Sequence, residues 1–120
     1  MKASRKGIAA AMTEADELRG FQRKYLRGLA HSLRPVVQVG RAGLNDELVR
    51  EVQRALEDHE LIKVAMHKPE DKKAMAAELA VASQAQLAGL VGHTAILYRA
   101  HPEKTRIKLP QRSELAVESE

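Results

Sequence analysis

The sequence predicts a single α/β domain, and three observations support that fold class. A β-branched segment at 35–39 is followed by an amphipathic helical pattern at 45–59 and an alternating apolar segment at 61–67, which together form a βαβ unit. The chain has 120 residues, which suits one small domain with its own buried core. It contains no cysteine, so a disulfide framework and thiol chemistry are both excluded.

The first predicted helix covers residues 18–31 and follows an alanine-rich N-terminal extension at 1–17. Large apolar residues recur at spacings of three and four, which predicts one buried stripe made of Leu18, Phe21, Tyr25 and Leu29. Basic residues fall on the opposite side of the same helix: Arg19, Arg23, Lys24 and Arg27. That basic side is either an ordinary solvated face or a surface that contacts phosphates, and it contains no acid to balance its charge.

A strand and a glycine loop follow in the stretch 35–45. Pro35 fits the first position of a strand, and Val36, Val37 and Val39 favour extended backbone. Gly40 and Gly43 can adopt a positive φ or let another backbone approach, while Asn45 is a good N-cap for the next helix. Free N–H groups at a helix start can bind a phosphate, and Arg41 at the loop tip could pair with it. The same pattern is also typical of a plain turn, so both interpretations remain open from the loop alone.

The remaining elements complete the predicted domain. The second helix, 45–59, should bury Leu48, Val52, Ala55 and Leu56. Residues 61–67 form the second strand, parallel to the first because a helix connects them. A third helix opens at Pro69 and Glu70, runs to about Gln84 and turns Met75, Leu79 and Ala82 inward.

The C-terminal third of the chain predicts a hairpin. Strands at 86–91 and 94–100 meet at Gly92 and His93, and Tyr98 could belong either to the core or to the exposed sheet surface. Ile107 and Leu109 could extend an edge strand. We therefore expect a folded domain at 18–110 and an acidic polar tail at 111–120.

The charge is unevenly distributed along a chain whose formal net charge is +4. The stretch from Leu18 to Asn45 contains no acid and six basic residues: Arg19, Arg23, Lys24, Arg27, Arg34 and Arg41. The second helix is mostly acidic, and a second basic block contains Arg99, Lys104, Arg106, Lys108 and Arg112. This segregation indicates one basic and one acidic face, and the basic face favours an anionic partner.

Several separated motifs resemble the CRM domain, the RNA-binding module of the YhbY family. They occur in the family's order, across residues 18–110, at 28–31, 35–37, 40–44, 55–56, 59–64 and 97–99. The resemblance implies an α1-β1-α2-β2-α3-β3-β4 domain with a four-stranded mixed sheet, similar to the C-terminal domain of translation initiation factor three. Ala65 departs from the family pattern, since a lysine often occupies that position.

The resemblance further implies a non-catalytic protein that binds RNA through the GxxG loop and the basic first helix. For a stand-alone bacterial member it implies ribosomal RNA of large-subunit precursors as the partner and a role in ribosome assembly. The candidate RNA-binding residues are Arg23, Lys24, Arg27, Arg34, Gly40, Arg41, Ala42, Gly43, Lys63, Arg99 and Arg106.

Other functions find less support in the sequence. The five histidines lack metal-ligand spacing, no serine has a nucleophile context, and His59-Glu60 is better explained by capping or packing than by acid–base chemistry. We expect no cofactor, metal, membrane partner or small-molecule substrate, and a monomeric cytoplasmic protein. The alternative is a protein–protein adaptor that uses the acidic second helix, with the basic residues incidental.

Overall fold

The computed structural model describes residues 18–103 and 105–111. The predicted extension at 1–17, Lys104, and all of the predicted tail except Gln111 lie outside these residues. The described chain contains three helices and four strands: α1 (Gly20–Ala30), β1 (Val37–Val39), α2 (Asp46–His59), β2 (Leu61–Met66), α3 (Lys72–Ala82), β3 (Gln86–Val91) and β4 (Thr94–Tyr98). This order of elements is the predicted one.

The four strands form one mixed sheet in the order β1-β2-β4-β3. β1 and β2 are parallel, with Val37 opposite Val64, as the βαβ prediction required. β4 is antiparallel to both neighbours and places Leu97 beside Ile62 on one side and Leu87 on the other. The α/β fold class with a four-stranded mixed sheet is therefore confirmed.

Helices cover both faces of the sheet and create two separate cores. α2 and α3 pack on one face, where Val52, Leu56 and Leu79 share a core with buried residues of β1, β2 and β4 and with the half-buried Leu87 and Leu90 of β3. α1 packs on the other face, where Leu26 and Ala30 meet Ala88, Ile96 and other buried residues. The central strand β2 contributes to both cores, with Ile62, Val64 and Met66 in the core under α2 and α3 and Leu61 in the core under α1.

The starts of α2 and α3 follow the expected capping chemistry. The side chain of Asn45 accepts a hydrogen bond from the N–H of Leu48 at 2.8 Å, so Asn45 is the N-cap of α2 as predicted. α3 begins later than predicted, because Asp71 caps it by accepting the N–H of Ala74 at 3.1 Å. Its inward face contains Ala76, Leu79 and Ala80; Met75 is half-buried and Ala82 is exposed, so the prediction for Ala82 was wrong.

The predicted buried stripe of α1 was wrong for Tyr25 and Leu29, whereas Leu18 is buried as predicted and Phe21 is half-buried. Leu26 and Ala30 are fully buried, whereas Tyr25 is 41% exposed and Leu29 is 39% exposed. α1 lies against Ala88 and Gly89 of β3. Because these two residues are small, the helix can approach the sheet closely through Ala30. Tyr25 and Leu29 are therefore exposed apolar side chains next to the buried residues Leu26 and Ala30.

Two smaller predictions need correction, and the two alternatives for Tyr98 can be decided. Val36 lies outside β1 and is 49% exposed. Residues 105–111 form no strand, and Ile107 and Leu109 instead pack as irregular chain against the α1 core. Tyr98 is buried in that same core at 4% exposure, so it is not a stacking platform on the sheet surface.

Candidate nucleic-acid interface

The glycine loop between β1 and α2 is a tight turn. The N–H of Gly43 donates to the carbonyl of Gly40 at 3.0 Å, and Arg41 and Ala42 at the tip are exposed. Gly43 has a φ of +76°, a conformation that glycine adopts at least cost. Gly40 does not have a positive φ, and a Cβ built on it would meet no atom within 4 Å. The free fold therefore requires glycine at position 43 but not at position 40.

The GxxG turn forms one wall of an open groove of about 420 Å³. The opposite wall comes from the connection between β2 and α3, which includes His67 and Lys68, and from the first turns of α3. The N–H of His67 donates to the carbonyl of Val39 at 2.9 Å and ties the two walls together. The groove lies at the carboxyl ends of two parallel strands, where open α/β sheets commonly bind ligands.

Sequence reasoning did not single out His67 and Lys68. The signal was available, because two parallel strands place the residues that follow each of them side by side. Basic groups of the groove are Arg41, His67 and Lys68, while the α3 wall carries Glu70, Asp71 and Glu78. An anionic backbone would therefore be attracted to Arg41 and Lys68 and repelled by these three carboxylates.

The basic residues of α1 lie on a different part of the surface. Arg23, Lys24 and Arg27 are all exposed. Nη1 of Arg23 donates to the carbonyl of Leu18 at 2.6 Å, and Nη1 of Arg27 donates to the carbonyl of Ala88 in β3 at 3.3 Å. Arg27 therefore lies along the sheet and covers part of β3, although the residue remains exposed.

The fold does not bring α1 and the glycine turn together. Arg27 lies over β3 at one edge of the sheet, and Gly40 follows β1 at the other edge. In the sheet register, Gly89 and Gly40 are separated by three strand spacings across the sheet and by four residues along a strand. These two perpendicular separations together give a distance of about 20 Å between the two glycines. A ligand that contacts both regions must extend across the sheet.

Arg34 and Lys63 lie close to the connection that follows α1. Nζ of Lys63 donates to the carbonyl of Leu33 at 3.1 Å, so this side chain fastens the connection to β2. Arg34 is exposed at the border of an apolar groove that includes Leu29, Leu33 and Val36. Neither residue lines the groove beside the glycine turn.

Arg99 and Arg106 are engaged in contacts within the protein. Nη1 of Arg99 donates to the carbonyl of Ser83 at 3.0 Å, and Nη2 lies 4.0 Å from a carboxylate oxygen of Glu57. Nη1 of Arg106 donates to the carbonyl of Asp58 at 3.2 Å. These two predicted contacts therefore have structural partners and lie away from the glycine turn.

No group of three or more His, Asp or Glu side chains in 18–103 and 105–111 is placed to hold a metal ion. Within that same part of the chain, no helix has the length and apolar character needed to cross a membrane.

Comparison with known proteins assigns the chain to a family. The model of the CRS1 / YhbY (CRM) domain matches residues 18–99, which include α1, the glycine turn and the whole sheet. The chain belongs to the CRS1/YhbY (CRM) domain family. The sequence-based resemblance to this family is thereby confirmed.

Individual relatives of this CRM domain are similar over most of its length. Probable RNA-binding protein YqeI of Bacillus subtilis is 41% identical over 95 residues, covering 78% of this chain and 99% of the relative. Probable RNA-binding protein MJ0652 of Methanocaldococcus jannaschii is 40% identical over 94 residues, covering 73% of this chain and 69% of the relative. The solution structure of SAV1595 from Staphylococcus aureus, described as a putative RNA binding protein, superposes with a TM-score of 0.69 at 37% identity. That match covers 78% of this chain and 99% of the other.

Proposed function

We propose that this CRM domain is a non-catalytic RNA-binding protein that contacts RNA through the Gly40–Gly43 turn and the basic side of α1. Its partner is ribosomal RNA of large-subunit precursors, and its role is in ribosome assembly. The relatives named as RNA-binding proteins support the RNA-binding part of this proposal.

The main observation behind the proposal is that the space around Gly40 is empty where a side chain would lie. Its backbone does not need glycine, and no atom of the described chain lies where its Cβ would be. A glycine in such a place keeps the surface low enough for an outside backbone to approach the turn. Arg41 is exposed beside it and can pair with a phosphate oxygen, and Lys68 lies on the opposite wall of the groove.

Replacing Ala42 by aspartate tests this proposal. Ala42 is exposed in the turn, so the substitution adds a negative charge where the phosphate is expected without removing a packed side chain. Repulsion at a few ångströms in a partly dehydrated contact costs on the order of 1–4 kcal/mol, so the RNA dissociation constant should rise by about fivefold or more. The measurement is the Kd for an RNA of large-subunit rRNA sequence at fixed salt.

Ala77→Asp is the matched control, because Ala77 is exposed on α3 and does not line the groove of the glycine turn. It should leave RNA affinity close to that of the parent, apart from the small effect of net charge. Equal affinities of the two variants, at unchanged melting temperatures, would remove the turn from the binding site.

The large-subunit part of the proposal needs a separate experiment. Tagged protein should sediment with large-subunit precursors on a sucrose gradient of cell lysate, and the co-migrating RNA should be ribosomal on sequencing. The adaptor alternative predicts a different result, namely no detectable RNA affinity even at low salt, where phosphate contacts are strongest.

A further inference from the structure

The side chain of Arg27 lies in a slot that exists only because residue 89 is glycine. A Cβ built on Gly89 would lie 2.5 Å from Cδ of Arg27 and 2.8 Å from its Cγ. Real Cβ atoms essentially never come within 3.0 Å of a neighbouring heavy atom. Any larger residue at position 89 would therefore displace the Arg27 side chain from its present path over β3.

The backbone of β3 does not itself require this glycine. Gly89 does not have a positive φ, and it is paired with Ile96 of β4. The pairing of the two strands is irregular between Leu87 and Gly89. Glycine inside a strand weakens it, and such a glycine often marks a place where another group approaches closely. In the described structure that group is the aliphatic stem of Arg27.

The slot also orients the charged end of Arg27. Nη1 donates to the carbonyl of Ala88 at 3.3 Å, next to the slot. The contact uses one of the five N–H donors that a guanidinium offers, and the residue remains exposed. Arg27 is therefore held at two points, by its stem against Gly89 and by one nitrogen, while it keeps donors for an external anion.

We infer that Gly89 is a positioning residue for RNA binding, which acts by holding Arg27 ready to contact a backbone phosphate at the α1–β3 edge. This inference rests on the proposed RNA-binding function. A long side chain that is free in solution must be ordered when it binds, and the slot has already ordered this one. Loss of the slot should therefore weaken binding although the charge of Arg27 remains.

A double-mutant cycle tests the inference in the full chain, with the Kd for a single-stranded rRNA oligonucleotide as readout. Gly89→Ala and Arg27→Ala should each weaken binding, by about fivefold for the first and about tenfold for the second. The double variant should bind no more weakly than Arg27→Ala alone, because Gly89 acts only through Arg27. If the fold-changes in Kd of the two single variants multiply in the double variant, the inference is wrong, because Gly89 would then affect RNA binding through the sheet and independently of Arg27.

The salt dependence of binding provides a readout that a purely structural role would not change. Each phosphate contact to a single strand contributes about 0.7 to the slope of log Kd against log salt concentration. Arg27→Ala should reduce this slope by that amount, and Gly89→Ala should reduce it in the same direction. A Gly89→Ala variant with the affinity and slope of the parent would show that the slot does not matter.

Gly28→Ala is the matched control. Gly28 adjoins Arg27 on α1, and a Cβ there would meet no atom within 4 Å. This substitution leaves the Arg27 side chain in place, so it should weaken RNA binding less than Gly89→Ala does and should keep the salt slope of the parent. If Gly89→Ala fails to fold, the double variant can replace it, because removal of the Arg27 side chain removes the clash. The double variant is then compared with Arg27→Ala alone. Equal affinity is expected, and weaker binding by the double variant would overturn the inference. A parent chain with no RNA affinity at low salt would instead overturn the proposed function itself.

Discussion

The carboxylate of Glu60 accepts a hydrogen bond from the backbone N–H of Ile107 at 2.9 Å, across 47 positions of the chain. The same carboxylate accepts the N–H groups of Arg106 and His101, each at 2.7 Å. Glu60 is 1% exposed and has a φ of +64°, a strained backbone conformation for a residue other than glycine. One buried side chain at the end of α2 thus fastens the C-terminal segment against the α1 core.

Replacing Glu60 by glutamine should destabilise the fold by about 2 kcal/mol at pH 7. A carboxamide has only one oxygen acceptor, and its NH₂ group would face a buried N–H donor, so backbone donors would lose their partner. The measurement is the free energy of unfolding in urea. Glu57→Gln is the control, because the Glu57 side chain is 67% exposed and its only described contact is with Arg99 at 4.0 Å. Equal stability of both variants would contradict this role of Glu60.

The stability that Glu60 contributes should disappear in acid. Burial alone would raise its pKa, but the hydrogen bonds from His101, Arg106 and Ile107, with the nearby His101 charge, hold the pKa below the ordinary value of 4.5. A lowered folded-state pKa means that the contribution is complete above the unfolded-state pKa and is lost as pH falls through the folded value. The difference in unfolding free energy between the parent and Glu60→Gln should therefore shrink below about pH 4. A difference that is constant from pH 7 to pH 3 would contradict the assignment.

The two glycines of the turn should respond oppositely to alanine. Gly43→Ala should lower stability by about 1 kcal/mol, because alanine is strained at a φ of +76°. Gly40→Ala should leave stability unchanged, because its surroundings are open, yet it should weaken RNA binding by obstructing the approach to the turn. Urea unfolding and the RNA Kd, measured on both variants, separate the two effects. A Gly40→Ala variant with parental affinity would show that the approach does not pass over Gly40.

Arg41 and Arg99 were both predicted to contact RNA, and alanine substitutions should distinguish them. Arg41→Ala should weaken RNA binding at unchanged stability, because Arg41 is exposed at the tip of the turn. Arg99→Ala should instead lower stability by about 1 kcal/mol, because its guanidinium donates to the carbonyls of Ser83 and Gln53. Weaker RNA binding by Arg99→Ala, with no loss of stability, would restore Arg99 as an RNA contact.

RNA affinity should increase with the length of the oligonucleotide until it is long enough to reach both proposed contact regions. Gly40 and Gly89, over which the stem of Arg27 lies, are about 20 Å apart, which one stacked strand spans with about six nucleotides at about 3.4 Å each. Affinity for single-stranded oligonucleotides should rise steeply up to that length, and Arg27→Ala should flatten the rise. Full affinity with three nucleotides would show that the two regions do not bind the same strand.

The order of elements could be predicted because each one carries a local signal. The β-branched residues before Gly40, the Asn45 cap and the alternation in β2 each depend on near neighbours in sequence. The buried side of α1 could not be predicted in the same way. Its stripe of large apolar residues indicated Tyr25 and Leu29, but the sheet presents Ala88 and Gly89 there and accepts the helix through Leu26 and Ala30.

The candidate site was predictable only in part for a related reason. The GxxG turn is a local motif, and its exposed Arg41 could be identified from sequence. The other wall of the groove, with Lys68, depends on the parallel pairing of β1 and β2. The structural roles of Glu60 and Arg99 depend on contacts across tens of residues, for which the sequence gives no local pattern.

The short strand β1 has a consequence for how the domain moves. Three residues pair it with β2 at an edge of the sheet, whereas β4 is paired on both sides. Local opening is easiest where few contacts must break, so backbone amides of β1 should exchange with deuterium before those of β4. The glycine turn is attached to the end of β1, so opening of that strand would let the turn change position. β3 at the other edge is paired with β4 at five positions and is covered by α1, so it should open less readily than β1. Of the two proposed RNA contacts, the glycine turn should therefore be the more mobile and the α1–β3 edge the less mobile.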